Sequence, residues 1–149
     1  MSRQITGIHH ITAIASNARA NLDFYNRVLG LRLVKKTINF DDPQTYHFYF
    51  GDPTGRPGTI LTFFPITRAF QGEQGTGQAT VTALSVPPGA LAYWQERMND
   101  LTVPTENGTD FGEPALLLRD PDGLLLELVE TPQAGPGDAW AEGPIPVEY

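Results

Sequence analysis

His10-Ile11-Thr12-Ala13-Ile14 returns in outline as Thr80-Val81-Thr82-Ala83-Leu84, and Asp52-Pro53…Gly58-Thr59-Ile60-Leu61-Thr62 returns as Asp120-Pro121-Asp122-Gly123-Leu124-Leu125-Leu126-Glu127. The chain therefore reads as one small unit used twice. Alternating, β-branched residues 7–15 form a strand. Ser16 or Asn17 then caps a helix whose Leu22, Tyr25 and Leu29 recur at helical spacing, and Gly30 sits where a left-handed stop is favoured. Residues 31–40, 45–51 and 59–65 read as three further strands, divided by turn residues at 41–43 and 52–58. The order is βαβββ. After residues 66–77, which hold three glycines and no apolar period, it starts again: a strand over 78–86 and a helix introduced by Pro87-Pro88 with Leu91, Trp94, Met98 and Leu101 on one stripe. Short strands follow near Val103, over 115–119 and over 124–130.

These elements predict an α+β fold in which two βαβββ modules with mixed, curved sheets make one domain over residues 1–130. Module one spans 5–65, a linker 66–77 and module two 78–130. The Pro/Gly-rich tail over 131–149 has no apolar period and reads as a linker, an arm or an end. If the repeat is aligned as written, His10 and Thr62 correspond to Thr80 and Glu127.

The 149 residues suffice to bury a core without disulfides or metal. A net charge of −7 and an isoelectric point near 4.8 leave no basic stripe for nucleic acid. The absence of cysteine removes disulfides, a thiolate nucleophile and zinc-thiolate sites. His9 and His10 interrupt the first apolar stretch, so neither a leader nor a membrane span is expected and the reading is a cytoplasmic protein. No Gly-x-Ser-x-Gly or Gly-x-x-x-x-Gly-Lys occurs, which removes hydrolase-elbow and phosphate-loop readings.

The residues left to carry chemistry are few. Adjacent strand residues face opposite ways, so one of His9 and His10 faces a given cavity. His10 shares its face with Thr12 and is the better metal ligand, with His9 in a supporting role. Glu127 stands in an apolar run, Leu124 to Val129, where a buried carboxylate needs a compensating cation, donor or water. His47, the third and last histidine, lies among Tyr46, Phe48, Tyr49 and Phe50. It fits packing in an aromatic sheet, a contact to a substrate oxygen, or a third ligand, in that order. Imidazole with carboxylate suits divalent iron, manganese or zinc, whereas Thr62 and Thr80 are poor ligands.

Two βαβββ units with a histidine in the first strand and a glutamate in the last resemble the vicinal oxygen chelate superfamily, which includes glyoxalase I, bleomycin-resistance proteins and extradiol dioxygenases. More narrowly, Gly7-Ile8-His9-His10-Ile11-Thr12, Asn21-Leu22-Asp23-Phe24-Tyr25, the run Val28 to Thr37, Tyr46-His47-Phe48-Tyr49-Phe50 and Pro57 to Pro65 are similar to the N-terminal half of ring-cleaving dioxygenases acting on hydroquinones. The resemblance implies an Fe(2+) ligand at His10, with a second histidine and a glutamate supplied by another half of similar size. It places His9 and Thr12 near the metal, in substrate binding or proton transfer. Glu127 matches a first-half glutamate that is not the family's iron ligand.

Three functions follow as expectations. The first is iron-dependent ring opening of a hydroquinone or catechol, with His9 and Thr12 catalytic, His10 and Glu127 as candidate metal ligands, and activity requiring a homodimer partner or a complementary second half. The second is metal-free sequestration of a small aromatic molecule in a cleft lined by Tyr46, His47, Phe48, Phe50 and Phe63. The third is a glyoxalase-type, metal-dependent lyase, weaker than these, and an isolated half without activity stands beside them.

Overall fold

A computed structural model describes residues 5, 7–73, 75–134 and 140–149. Each half builds one four-stranded sheet. In the first, β1 (His10–Ala15), β2 (Arg32–Ile38), β3 (Tyr46–Gly51) and β4 (Ile60–Pro65) lie in the order β1-β4-β3-β2, and β1 runs parallel to β4. In the second, β5 (Val81–Val86), β6 (Thr105–Asp110), β7 (Glu113–Arg119) and β8 (Leu125–Glu130) lie in the order β5-β8-β7-β6, with β5 parallel to β8. The parallel pairs are the ones that bring the first and last strands of each unit together. A helix makes each crossover: α1 (Ala18–Leu22) and α2 (Leu91–Asp100).

Local chemistry accounts for these elements. Asn17 caps α1, its Oδ1 accepting from the Arg19 and Ala20 N–H groups at 2.9 and 3.0 Å. The helix continues as a π-helical turn, Asp23–Val28, in which the Leu29 N–H reaches back to the Phe24 carbonyl at 3.0 Å. Gly30 then takes φ +71°, and a Cβ there would collide with Ile145 of the last segment. The strand expected near Val103 lies further on, at Thr105–Asp110. The Val103 N–H is taken by the Met98 carbonyl at 2.8 Å, which still belongs to the helix ending.

Alternation sends Ile11, Ala13, Phe48, Phe50, Leu61 and Phe63 of the first sheet inward, and Leu84, Val86, Leu116, Leu126 and Leu128 of the second. These side chains, with Tyr25, Trp94 and Met98 from the helical segments, form one continuous core. Polar links join the modules as well. The Tyr25 hydroxyl donates to Asp120 Oδ2 at 2.9 Å, the Ser16 N–H to Asp122 Oδ1 at 3.0 Å, and the Arg97 guanidinium to the Val28 and Arg27 carbonyls at 3.0 and 2.6 Å.

Strand register corrects the repeat by one residue. His10 pairs with Ile60 and Thr12 with Thr62, while Val81 pairs with Leu125 and Ala83 with Glu127. The sheets also close alike, Ile66 N–H on Ala15 O and Thr131 N–H on Val86 O. Glu127 is thus the counterpart of Thr62, as the sequence indicates, but the counterpart of His10 is Val81, not Thr80. A single-residue slip exchanges faces, so Thr82 points into the core side and Ala83 away from it.

Of the tail, residues 135–139 lie outside the described residues. Residues 140–149 fold back on the body: Ile145 meets Gly30, and Tyr149 stacks on Tyr93 with centroids 4.1 Å apart and planes 2° from parallel. The tail residues 140–149 are an arm laid on the domain.

Candidate functional site

The outward face of the first sheet gathers most of the chain's polar aromatic chemistry. Register and alternation place His10, Thr12 and Ile14 of β1, Ile60, Thr62 and Phe64 of β4, and His47 and Tyr49 of β3 on that face. The Thr62 hydroxyl donates to Thr12 Oγ1 at 2.9 Å, a contact made across the parallel pair. His47 lies against Phe64 and Tyr49 with ring centroids 4.0 and 4.2 Å apart, and its Nδ1 is 2.9 Å from the Tyr49 hydroxyl. Burial, then the neighbouring His10 and Lys35, lower the His47 pKa. At neutral pH its ring is therefore uncharged.

His10 itself is exposed at the start of β1. His9 precedes the strand, and the two imidazoles meet rather than diverge: Nδ1 to Nδ1 is 3.1 Å and the rings stand at 88°. The expected opposite orientation fails because His9 is outside the ladder; its carbonyl instead accepts from the Gly58 N–H at 2.8 Å. With the Nδ1 atoms sharing one hydrogen bond, Nε2 is the ring atom of His10 left for another partner.

Glu127 occupies the outward face of the second sheet, between Ala83 and Leu117. Burial and, secondarily, the Asp110 carboxylate raise its pKa. Among the described residues no three of His, Cys, Asp and Glu come together as a metal-holding group. Glu127 also does not border the cavity that His10 borders. The chain's own described side chains thus do not complete a catalytic metal centre.

Three aromatic residues expected to line a ligand cleft do not. Phe48, Phe50 and Phe63 are buried on the helix side, where Phe50 and Phe63 pack on Tyr25 at 5.4 and 4.4 Å. Their parity opposes that of His10. Tyr46 shares their parity at the first position of β3, stacking on Phe48 with the Lys36 ammonium 4.4 Å from its ring centroid. Tyr49 and Phe64, which the sequence reading did not place at the site, are the aromatics that reach His47; for Tyr49 the spacing of two residues was the available signal.

Residues 7–128 match the family described as the Glyoxalase/Bleomycin resistance protein/Dioxygenase superfamily, and the chain belongs to that superfamily. It is 50% identical over 145 residues to "Putative ring-cleaving dioxygenase MhqO" of Bacillus subtilis, a match covering 97% of this chain and 46% of that protein. It is 34% identical over 152 residues to the chlorohydroquinone/hydroquinone 1,2-dioxygenase of Sphingobium indicum, covering 99% and 47%. A crystal structure of a "putative dioxygenase" from Bacillus subtilis superposes with a TM-score of 0.83 at 53% identity, covering 87% of this chain and 42% of that one. The chain spans about half the length of the curated relatives it matches. No helix among the described residues is long and apolar enough to cross a membrane.

Proposed function

We propose that this chain is the N-terminal-type half of a ring-cleaving dioxygenase for hydroquinones or catechols, and that it contributes His10 as one ligand of an iron(II) centre completed outside the described residues. The observation that carries this reading is the exposed His10 imidazole, set on a polar sheet face beside Thr12 and without two further ligands. Support comes from the names and the coverage of the relatives: each match spans under half of a protein called a ring-cleaving or hydroquinone dioxygenase. Manganese or zinc suits the same imidazole donor. A metal bound there would supply Lewis-acid and redox chemistry for oxygen.

This chain's own residues have narrower tasks. With the His10 Nδ1–H donating to His9 Nδ1, the His10 Nε2 lone pair is left bare for a metal. His9 then carries its own proton on Nε2, and it takes up a phenolic proton at Nδ1 once substrate binding breaks that contact. The exposed Thr12 hydroxyl, which accepts from Thr62, offers a hydrogen bond to a substrate oxygen on the same face, whereas His47, with Nδ1 held by Tyr49 and Nε2 buried, reaches one only if its ring moves. Ring opening inserts both atoms of dioxygen and breaks one ring carbon–carbon bond, the substrate supplying all four electrons. Glu127 serves on the second sheet as a candidate ligand only if a partner, in a homodimer or as a complementary second half, brings further donors to it.

The test is iron(II) titration of the purified protein under argon, followed by elemental analysis, light scattering and oxygen uptake with hydroquinone. With the second half or a second copy present, wild type is expected to retain iron and His10→Ala to weaken retention at least about tenfold. Equal retention by the two proteins would remove His10 from the site. Oxygen uptake is expected once the second half or a second copy is present. Hydroquinone binding by metal-free protein with no iron retention would support the sequestering alternative instead.

A further inference from the structure

Charge is divided unevenly between the two sheets. Strands β1 to β4 carry Arg32, Lys35 and Lys36 and no carboxylate, whereas β5 to β8 carry Glu106, Asp110, Glu113, Glu127 and Glu130 against Arg119 alone. In a chain of net charge −7 the first sheet is therefore a locally basic surface. Register says where one of these cations stands. Thr12 pairs with Thr62, Thr62 with Tyr49, and Tyr49 with Lys35, so the four side chains form one row across the outward face, from β1 to the edge strand β2.

Lys35 is exposed and makes no ion pair among the described residues. Its ammonium lies over the Tyr49 ring, 5.3 Å from the centroid, and so stands above β3 rather than out at the sheet edge. Its charge is felt there: together with His10 it helps to hold the His47 imidazole neutral. An edge lysine commonly keeps its strand from pairing with another chain, a task that Lys36 meets as well from its place on Tyr46 and one that does not call for the lean over Tyr49. Two strand spacings, about 10 Å, separate β1 from β3. At one end of the row is the exposed Thr12 hydroxyl, on the face of His10, and at the other an unpaired cation. A flat ring with a phenolic oxygen at one end and a carboxylate at the other satisfies both, with a hydrogen bond at each.

We propose that Lys35 is a specificity-determining residue that fits this face to aromatic carboxylates, hydroquinones of the dihydroxybenzoate class, with the carboxylate on its ammonium and a phenolic oxygen toward Thr12 and His10. The role as a substrate rests on the dioxygenase reading; the binding itself needs no iron.

Calorimetric titration of the metal-free protein with gentisate and with its uncharged amide, gentisamide, tests this. Wild type is expected to bind gentisate about threefold to fivefold more tightly than the amide at low salt, and to lose that preference as salt is raised. Lys35→Gln is expected to bind the two equally and Lys35→Arg to restore the difference. Lys36→Gln, which removes the same charge from the other side of the strand, is expected to keep it. Equal binding of the probes by wild type, binding of neither, a preference that survives Lys35→Gln, or one that Lys36→Gln abolishes to the same extent would each overturn the proposal. So would gentisate binding that fades as protein concentration and light scattering rise together, because Lys35 would then meet a carboxylate of a second copy. Oxygen uptake that fails while the gentisate preference stands would strike the dioxygenase reading alone; oxygen uptake without the preference would strike the role of Lys35 alone.

Discussion

Asp52 shows how a single carboxylate can hold a loop. Burial pushes its pKa up, but hydrogen bonds from the Arg56 side chain and from the Arg56, Thr54 and Gly55 N–H groups outweigh that and bring it down to about 2. Its repeat partner Asp120 organises the equivalent loop, accepting from the Asp122 and Leu124 N–H groups at 2.9 and 2.8 Å. Asp120 is buried more deeply, and its pKa is raised by that burial despite the donors. A depressed folded-state pKa stabilises the protein above the unfolded value and is lost as pH falls through the folded one. The Asp52 contribution should therefore disappear between about pH 4 and pH 2. Urea titrations of Asp52→Asn are expected to show a deficit on the order of 1–2 kcal/mol at pH 7 that closes by about pH 2; a deficit independent of pH would locate the effect in packing instead.

Among the elements, β6 was the hardest to read. Thr105-Glu106-Asn107-Gly108-Thr109-Asp110 carries no apolar alternation, and it is a strand because β7 templates it through six paired positions. The pair is closed by Phe111-Gly112, with φ of +48° and +89° at the two turn residues. Two positive φ values are the signature of a type I′ hairpin, which favours Asn-Gly. Phe111 gains nothing in return, since its side chain is fully exposed. Relief of left-handed strain by Phe111→Asn should raise stability by about 1 kcal/mol, or roughly 2–4 °C in melting temperature for a domain of this size. An unchanged or lowered melting temperature would show that the phenyl ring makes a stabilising contact elsewhere.

At the scale of the whole molecule, the two modules are tied by one buried polar contact within a common apolar core. Tyr25 is fully buried, and the Asp120 carboxylate that accepts its hydroxyl proton comes from the other module. Burial and Asp120 together push the tyrosine pKa far up, so the phenol stays protonated as the donor. Tyr25→Phe leaves that carboxylate short of a partner and is expected to cost about 1.5–3 kcal/mol at neutral pH. Without the donor the Asp120 pKa rises further, so the deficit should shrink on acidification as the carboxyl takes up its proton. Chemical denaturation at several pH values checks both points; a pH-independent loss would mean that Asp120 has found another donor.

The sequence alone determined the duplicated βαβββ order, a cap at Ser16 or Asn17, the Gly30 stop and the equivalence of Glu127 with Thr62, because each rests on local periodicity or turn chemistry; the structure places the cap on Asn17. It also singled out His10, whose exposure on the outward face follows from strand alternation. The tertiary structure decided what local signals cannot carry. Register along the β5–β8 pair made Val81, not Thr80, the repeat counterpart of His10, since a one-residue slip costs little in sequence similarity yet reverses every side chain. Packing against Tyr25 took Phe50 and Phe63 into the core, with Phe48 edge-on to Phe50, because an aromatic on an alternating strand has no label saying which face is covered. The approach of His9 to His10 arises outside the regular strand, and that of Tyr25 to Asp120 joins positions far apart in sequence, where spacing says nothing about distance.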